Sequence, residues 1–176
     1  MTGALIIRPT VRADLPALHT LVERAYRGDG ARAGWTHEAD LLGGQRTDLA
    51  ALNETLSDPA QRLLVAERDG ALAGCVLVRR LAGEEAYLGL LTVDPVRQAG
   101  GLGRRLLVAA EDHARDEGAR SMEMTVIVQR ADLIAWYERR GYRVTGERRP
   151  FPLDDPRFGL PRRRDLEFAV LEKPLA

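Results

Sequence analysis

Apolar positions recur along this chain with two spacings: strand-like alternation, and a helix-like return every third or fourth residue. Ala4 to Arg8 is a short β-like run. Leu15, Leu18, Leu21, Val22 and Ala25 form the stripe of an amphipathic helix, with Asp14 placed to cap it and Pro16 in its first turn. Residues 27–34, rich in Gly, Asp and Arg, read as a mobile loop, and Thr36 to Leu56 as a weakly helical stretch interrupted at Gly43-Gly44. Arg62 to Arg68 and Ala71 to Arg80 flank Asp69-Gly70, a type I′ turn pair, and so predict a hairpin. Glu85 to Val93 continues the sheet as a further antiparallel strand. A helix follows from Gly101 to Glu117, with Leu102, Leu106, Ala110 and His113 on one face and Gly118 placed to end it. Ser121 to Val128 is the next strand, and this strand-helix-strand order predicts a crossover between parallel strands. Asp132 to Arg140 is a helix stopped by Gly141. Two last strands, Tyr142 to Arg149 and Leu166 to Glu172, flank a proline-rich connection. The order β-α-α-β-β-β-α-β-α-β-β predicts one α+β domain spanning residues 1–176.

Composition narrows the function classes. The chain has 176 residues, 45% of them apolar and 30% charged, which is the balance of a soluble globular domain. Formal net charge is zero, so no overall field recruits nucleic acid or an anionic membrane, and neither is expected as a partner. Cys75 is the single cysteine, which excludes an intramolecular disulfide; its apolar surroundings suit a small core residue, with a nucleophile as the other reading. No signal peptide is apparent, and no apolar run approaches the ~18 residues of a membrane span. A cytoplasmic protein is expected. His19, His37 and His113 show no metal-ligand spacing, and no metal is expected.

The most informative segment runs from Tyr87 to Leu107. An apolar strand is followed by a turn at Asp94-Pro95, a glycine-rich loop with Gly100, Gly101 and Gly103, and an amphipathic helix. Such a junction leaves backbone N–H groups unpaired at a helix N-terminus, where the helix dipole also favours negative charge. Glycines remove the side chains that would hold a phosphate away. A Walker loop would need Lys-Ser or Lys-Thr after its last glycine, but Arg104-Arg105 follow Gly103. The dinucleotide fingerprint would need a small residue at 106, where Leu stands. Gln98-x-x-Gly101-x-Gly103 remains, and a glycine-rich turn that only starts a helix is the other reading of the same loop.

That hexapeptide resembles the acyl-CoA pyrophosphate signature of the GNAT N-acetyltransferase superfamily, and the element order resembles the GNAT fold over almost the whole chain. Ala135 to Tyr142 is similar to the family's Leu-Tyr-x-x-x-Gly-Phe box. The resemblance implies a mixed, mostly antiparallel seven-stranded sheet with about four helices. Its fourth and fifth strands, 85–93 and 121–128, would be parallel and splayed at the centre. It implies acetyl-CoA as co-substrate, held by Leu91, Thr92, Val93, Arg97, Gln98, Ala99, Gly100, Gly101, Leu102, Gly103, Arg104, Arg130 and Tyr137. Arg105 also flanks the loop. One position departs from the pattern: many relatives have Asn seven residues before the tyrosine, and here Arg130 stands there.

The resemblance further implies that the backbone of Leu91 and Val93 pairs with the pantetheine arm. The Leu91 N–H would stabilise charge on the thioester oxygen, and Tyr137 would protonate the leaving thiolate. Periodicity alone reads Trp136 and Tyr137 as core aromatics. Some relatives carry a glutamate on the fourth strand where Tyr87 stands, so the general base stays open among Glu38, His37, Glu23, Glu85 and a water chain. Tyr26, Trp35, Glu38, Tyr87 and Phe151 are candidates for binding a small-molecule amine acceptor, in a pocket between Trp35–Arg46 and Pro150–Asp155. Direct transfer in a ternary complex is the expected function; a non-catalytic acyl-CoA-binding sensor is the alternative. Monomer and homodimer both stay open.

Overall fold

The computed structural model describes residues 3–97 and 100–175. Seven strands form one mixed sheet: β1 Leu5–Pro9, β2 Gln61–Arg68, β3 Ala71–Arg80, β4 Glu85–Val93, β5 Ser121–Ile127, β6 Arg143–Pro150 and β7 Glu167–Pro174. Their spatial order is β1-β2-β3-β4-β5-β7-β6, and every pairing is antiparallel except that of β4 with β5. Five helices accompany the sheet: α1 Leu15–Tyr26, the single turn α2 Gly28–Ala31, α3 Leu49–Ser57, α4 Leu102–Asp116 and α5 Ala131–Glu138. The turn at α2 accounts for the difference from the four expected.

Strand alternation explains where the core lies. Leu63, Leu64, Val65 and Ala66 are all buried because successive residues serve opposite faces of the sheet. Leu63 and Val65 pack with Leu15, Leu18 and Val22 of α1 and Leu52 of α3. Leu64 and Ala66 join Leu102, Leu106 and Ala110 of α4 and Tyr137 of α5 on the other face. The hairpin turn is as expected, with Asp69 and Gly70 at φ 54° and 76°. Cys75 is fully buried.

Two local expectations are corrected. The Asp14 carboxylate does not cap α1; it turns back to accept from the Val11 N–H at 2.8 Å and from the Arg8 guanidinium. Between Thr36 and Leu56 only residues from Leu49 onward are helical, because Asp48 caps that start by accepting from the Ala51 N–H at 2.8 Å. Ahead of it, Leu42–Gly43 pairs instead with Leu160–Pro161 as a two-residue ribbon.

The centre of the sheet is irregular on both edges of β4. Its register with β5 covers only Glu85–Tyr87 against Ser121–Glu123, after which the two strands part. On the other edge the register with β3 shifts, so that Leu90 and Leu91 together face Val76. This is a β-bulge, a device found beside active sites. It places Leu90 at φ 51°, a left-handed conformation that costs a leucine about 1–2 kcal/mol. Neighbouring side chains fasten it. The Leu90 carbonyl accepts from the Thr92 hydroxyl at 2.9 Å and from the Cys75 thiol at 3.4 Å. Burial pushes that thiol up to about 12, which keeps it a donor. Among the described residues no helix is long and apolar enough to cross a membrane.

Candidate active site

Two cavities meet where β4 and β5 part. The first, of about 120 Å³, lies between the loop before α4 and the helix α5 and is lined by Trp35, Gly101, Gly103, Arg104, Trp136 and Arg140, among others. The second, of about 310 Å³, is lined by Arg27, Glu38, Arg46, Tyr87, Phe151 and Phe158, among others. Tyr26, Leu91, Arg130, Leu133 and Tyr137 line both.

The first cavity suits a long anionic ligand. Gly101 is the N-cap of α4 at φ 73° and makes no side-chain cap, so among the described residues no side chain accepts from the first-turn N–H groups. A Cβ built on Gly100 or Gly101 meets nothing within 4 Å, which leaves that backbone open to approach. The preceding turn is anchored by Asp94, which is buried and accepts from Arg24 at 2.6 Å and from the Val96 N–H at 3.2 Å. Arg140 lies over the Trp136 ring at 3.7 Å and donates to the Trp136 carbonyl at 2.8 Å.

The expected cofactor residues take several positions. Val93, Gly103 and Arg104 line the first cavity, and Arg104 and Arg105 are exposed. Gly100 sits with Gly101 in a groove on the outer side of the loop. Arg97 lies 3.9 Å from the Asp94 carboxylate, so part of its charge is engaged within the turn. Thr92 and Leu102 are buried at 2% exposure with side chains directed into the protein, so only their backbone can serve a ligand. Gln98 and Ala99 lie outside the described residues. Trp35, an expected acceptor residue, lines the first cavity, its ring 6.3 Å from that of Trp136.

At the junction, Tyr137 is 5% exposed, with its ring edge-on to Trp136 at 5.0 Å and to Tyr142 at 5.7 Å. Burial pushes its phenol above the usual range and keeps it protonated. Its core position and its place on both cavities therefore hold together. Tyr142 is anchored through its hydroxyl to Glu111 at 2.9 Å, and the chain's single lysine, Lys173, meets the same carboxylate.

The second cavity holds a buried charge cluster that local patterns did not reveal. Arg130 donates to Glu38 Oε2 at 3.3 Å and to the Thr36 hydroxyl at 2.9 Å, and Arg27 donates to Glu38 Oε1. Burial opposes ionisation of Glu38, but the charges of Arg27, Arg130 and Arg46 prevail and hold its carboxyl below the usual range. Glu38 is committed to two arginines and is a poor base, and Arg130 turns its two terminal nitrogens to Glu38 and Thr36 while still lining the first cavity. Glu23 accepts from the Arg46 and Thr47 N–H groups, His37 accepts from the Ala39 N–H, and Glu85 lines neither cavity. The Tyr87 hydroxyl meets that of Thr125 at 2.8 Å. Phe151 is buried against Phe168, with ring centroids 5.3 Å apart. Phe158 reaches this cavity from the proline-rich connection, whose path no sequence period marks. Among the described residues no group of three His, Cys, Asp or Glu could hold a metal ion.

Known proteins are similar to this chain in sequence and in fold. The Acetyltransferase (GNAT) family matches residues 33–142. The IAA acetyltransferase of Azospirillum brasilense is 33% identical over 130 residues, covering 73% of this chain and 77% of that protein. The mycothiol acetyltransferase of Cellulomonas flavigena is 33% identical over 165 residues, 86% of this chain; the chain spans 46% of that longer protein. Among solved structures, the PaiA N-acetyltransferase of Thermoplasma acidophilum in complex with coenzyme A superposes with a TM-score of 0.67 at 17% identity, over 97% of this chain and 99% of that one. The seven-stranded sheet with its single parallel pair is thus the GNAT fold, and a family match across most of the chain carries the chemistry with it. This chain belongs to the GNAT family of acetyltransferases, enzymes that use acetyl-CoA.

Proposed function

We propose that the protein transfers an acetyl group from acetyl-CoA to the primary amine of a small molecule, by direct attack within a ternary complex. The observation that carries this reading is the junction of the two cavities at Leu91 and Tyr137. A donor held along the first cavity and an acceptor held in the second would meet beside those two residues.

Acetyl-CoA supplies an acetyl group activated as a thioester. The open N–H groups at Gly101 and the first turn of α4 would hold its pyrophosphate, and Arg104 and Arg140 would take up further phosphate charge. The backbone of Leu91 and Val93 would pair with the amides of the pantetheine arm. The Leu91 N–H is assigned the charge that develops on the carbonyl oxygen as the amine nitrogen bonds to it. The Tyr137 hydroxyl is assigned the proton that the sulfur gains when the carbon–sulfur bond breaks, while the amine proton leaves to water. Cys75 offers no alternative nucleophile, since burial keeps its thiol protonated.

Transfer assays over a panel of amines, read by release of the CoA thiol, test this reading. Turnover of at least one small amine is expected. Tight CoA binding with no turnover of any amine would favour an acyl-CoA sensor instead.

A further inference from the structure

The second cavity carries more positive charge than its own side chains neutralise. Three guanidinium groups line it, those of Arg27, Arg46 and Arg130, against the single carboxylate of Glu38. Arg27 and Arg130 are both turned to that carboxylate. Arg46 is not. Its guanidinium lies over the Tyr26 ring, 5.0 Å from the centroid, and makes no hydrogen bond or ion pair with a described side chain. Its position is fixed through its backbone, whose N–H donates to the Glu23 carboxylate at 2.9 and 3.0 Å. A half-buried cation stacked on an aromatic ring, with its planar donors unengaged, is a receptor for a planar anion.

Two further features narrow the ligand. The Nε atoms of Arg27 and Arg130 are buried without a partner, so Glu38 leaves even those two arginines incompletely satisfied. The rest of its lining is largely aromatic and apolar and includes Tyr87, Phe151, Phe158 and Phe168.

We infer that the acceptor is an amino-acid-like compound, an amine that also bears a carboxylate, with the carboxylate seated on Arg46 and an apolar side chain against the phenylalanines. This rests on the acetyl-transfer reading above and specifies its substrate class. The same field assists the chemistry. A cationic amine is disfavoured beside uncompensated guanidinium groups, so the bound amine is driven towards the neutral, nucleophilic form. A cavity without a free carboxylate base can therefore still serve an amine acceptor.

The test offers each amine as a matched set: an apolar amino acid, its amide, and the decarboxylated amine. Acetylation is expected to favour the acid over its amide by at least about tenfold in kcat/KM. Arg46→Gln should raise the acid's KM about ten- to a hundredfold, the range of a hydrogen bond to a charged group, and bring the acid-to-amide ratio close to one. Arg46→Lys controls for folding; with the charge kept and the planar fork lost, it should show an intermediate preference. Equal or better turnover of amides and decarboxylated amines would overturn the inference and leave acetyl transfer standing, as would a ratio unchanged in Arg46→Gln. No turnover of any amine would overturn the transfer reading and this inference with it.

Discussion

The hydroxyl of Tyr26 donates to the carbonyl oxygen of Leu91 at 2.6 Å, joining the end of α1 to the bulge of β4. The bond lies at the junction of the two cavities and holds the carbonyl of the residue that follows the left-handed Leu90. Tyr26→Phe removes the donor and leaves a part-buried carbonyl unpaired, a cost of about 1–3 kcal/mol. Urea denaturation should show that loss, and kcat should fall by about tenfold, equivalent to roughly 1.4 kcal/mol of transition-state stabilisation. Unchanged kcat would mean that pairing with β3 alone sets the bulge.

Tyr137→Phe keeps the ring in its aromatic stack and removes only the proposed acid. Turnover should fall by about 10²–10⁴ while CoA affinity, measured by calorimetry, stays near that of the wild type. Burial raises the phenol's pKa above the ordinary value of about 10, so the acid remains protonated throughout the usual assay range. The pH–rate profile should therefore show no alkaline fall below pH ~10 that disappears in Tyr137→Phe. Such a limb would place the acid elsewhere.

Gly101→Glu separates folding from binding. Its φ of 73° costs a side chain about 1–2 kcal/mol, but a Cβ there meets nothing within 4 Å, so the fold should survive. The carboxylate would stand at the proposed pyrophosphate site. Wild-type protein should bind CoA in the micromolar range, about −8 kcal/mol, and the variant at least about a hundredfold more weakly. Equal affinities would reduce the loop to a helix start.

Glu38→Gln leaves Arg27 and Arg130 as buried cations with no carboxylate between them. Their side chains are 5% and 8% exposed, and breaking such a buried pair costs about 3–5 kcal/mol. The pH dependence has a definite sign. The folded-state pKa of Glu38 lies below its unfolded value, so the contribution is complete above the unfolded value of about 4.3 and is lost as pH falls through the lower folded value. Urea midpoints at neutral and acidic pH should converge between wild type and Glu38→Gln as Glu38 becomes protonated. Equal stability at neutral pH would show that the cluster contributes nothing to the fold.

What could be read from the chain was what neighbouring residues decide together. The Asp69-Gly70 turn, the amphipathic face of α4 and the glycine loop ahead of it are set by residues within a few positions of each other. Glu38 was legible as a residue and illegible in its role, because its partner Arg130 lies 92 positions away. Trp35 could be read as an aromatic without its neighbour, because Trp136, whose ring it approaches, belongs to α5, far along the chain. Leucines at 90 and 91 carried no mark of a bulge, since a left-handed leucine is sustained by distant donors such as Cys75 and Tyr26.

The three register pairs that join β4 to β5 all lie at one end of the gap between them. In geometry they act as a pin, with the two groups of strands on either side as its leaves. From Tyr87 to Leu91 the lever is roughly 13 Å long, so a rotation of about 5° at the pin displaces the working end by about 1 Å. That is the scale on which one acceptor differs from another by a methyl group. Substitutions that change the angle between the two half-sheets are therefore expected to widen or narrow the gap at Leu91 without touching the side chains that line it.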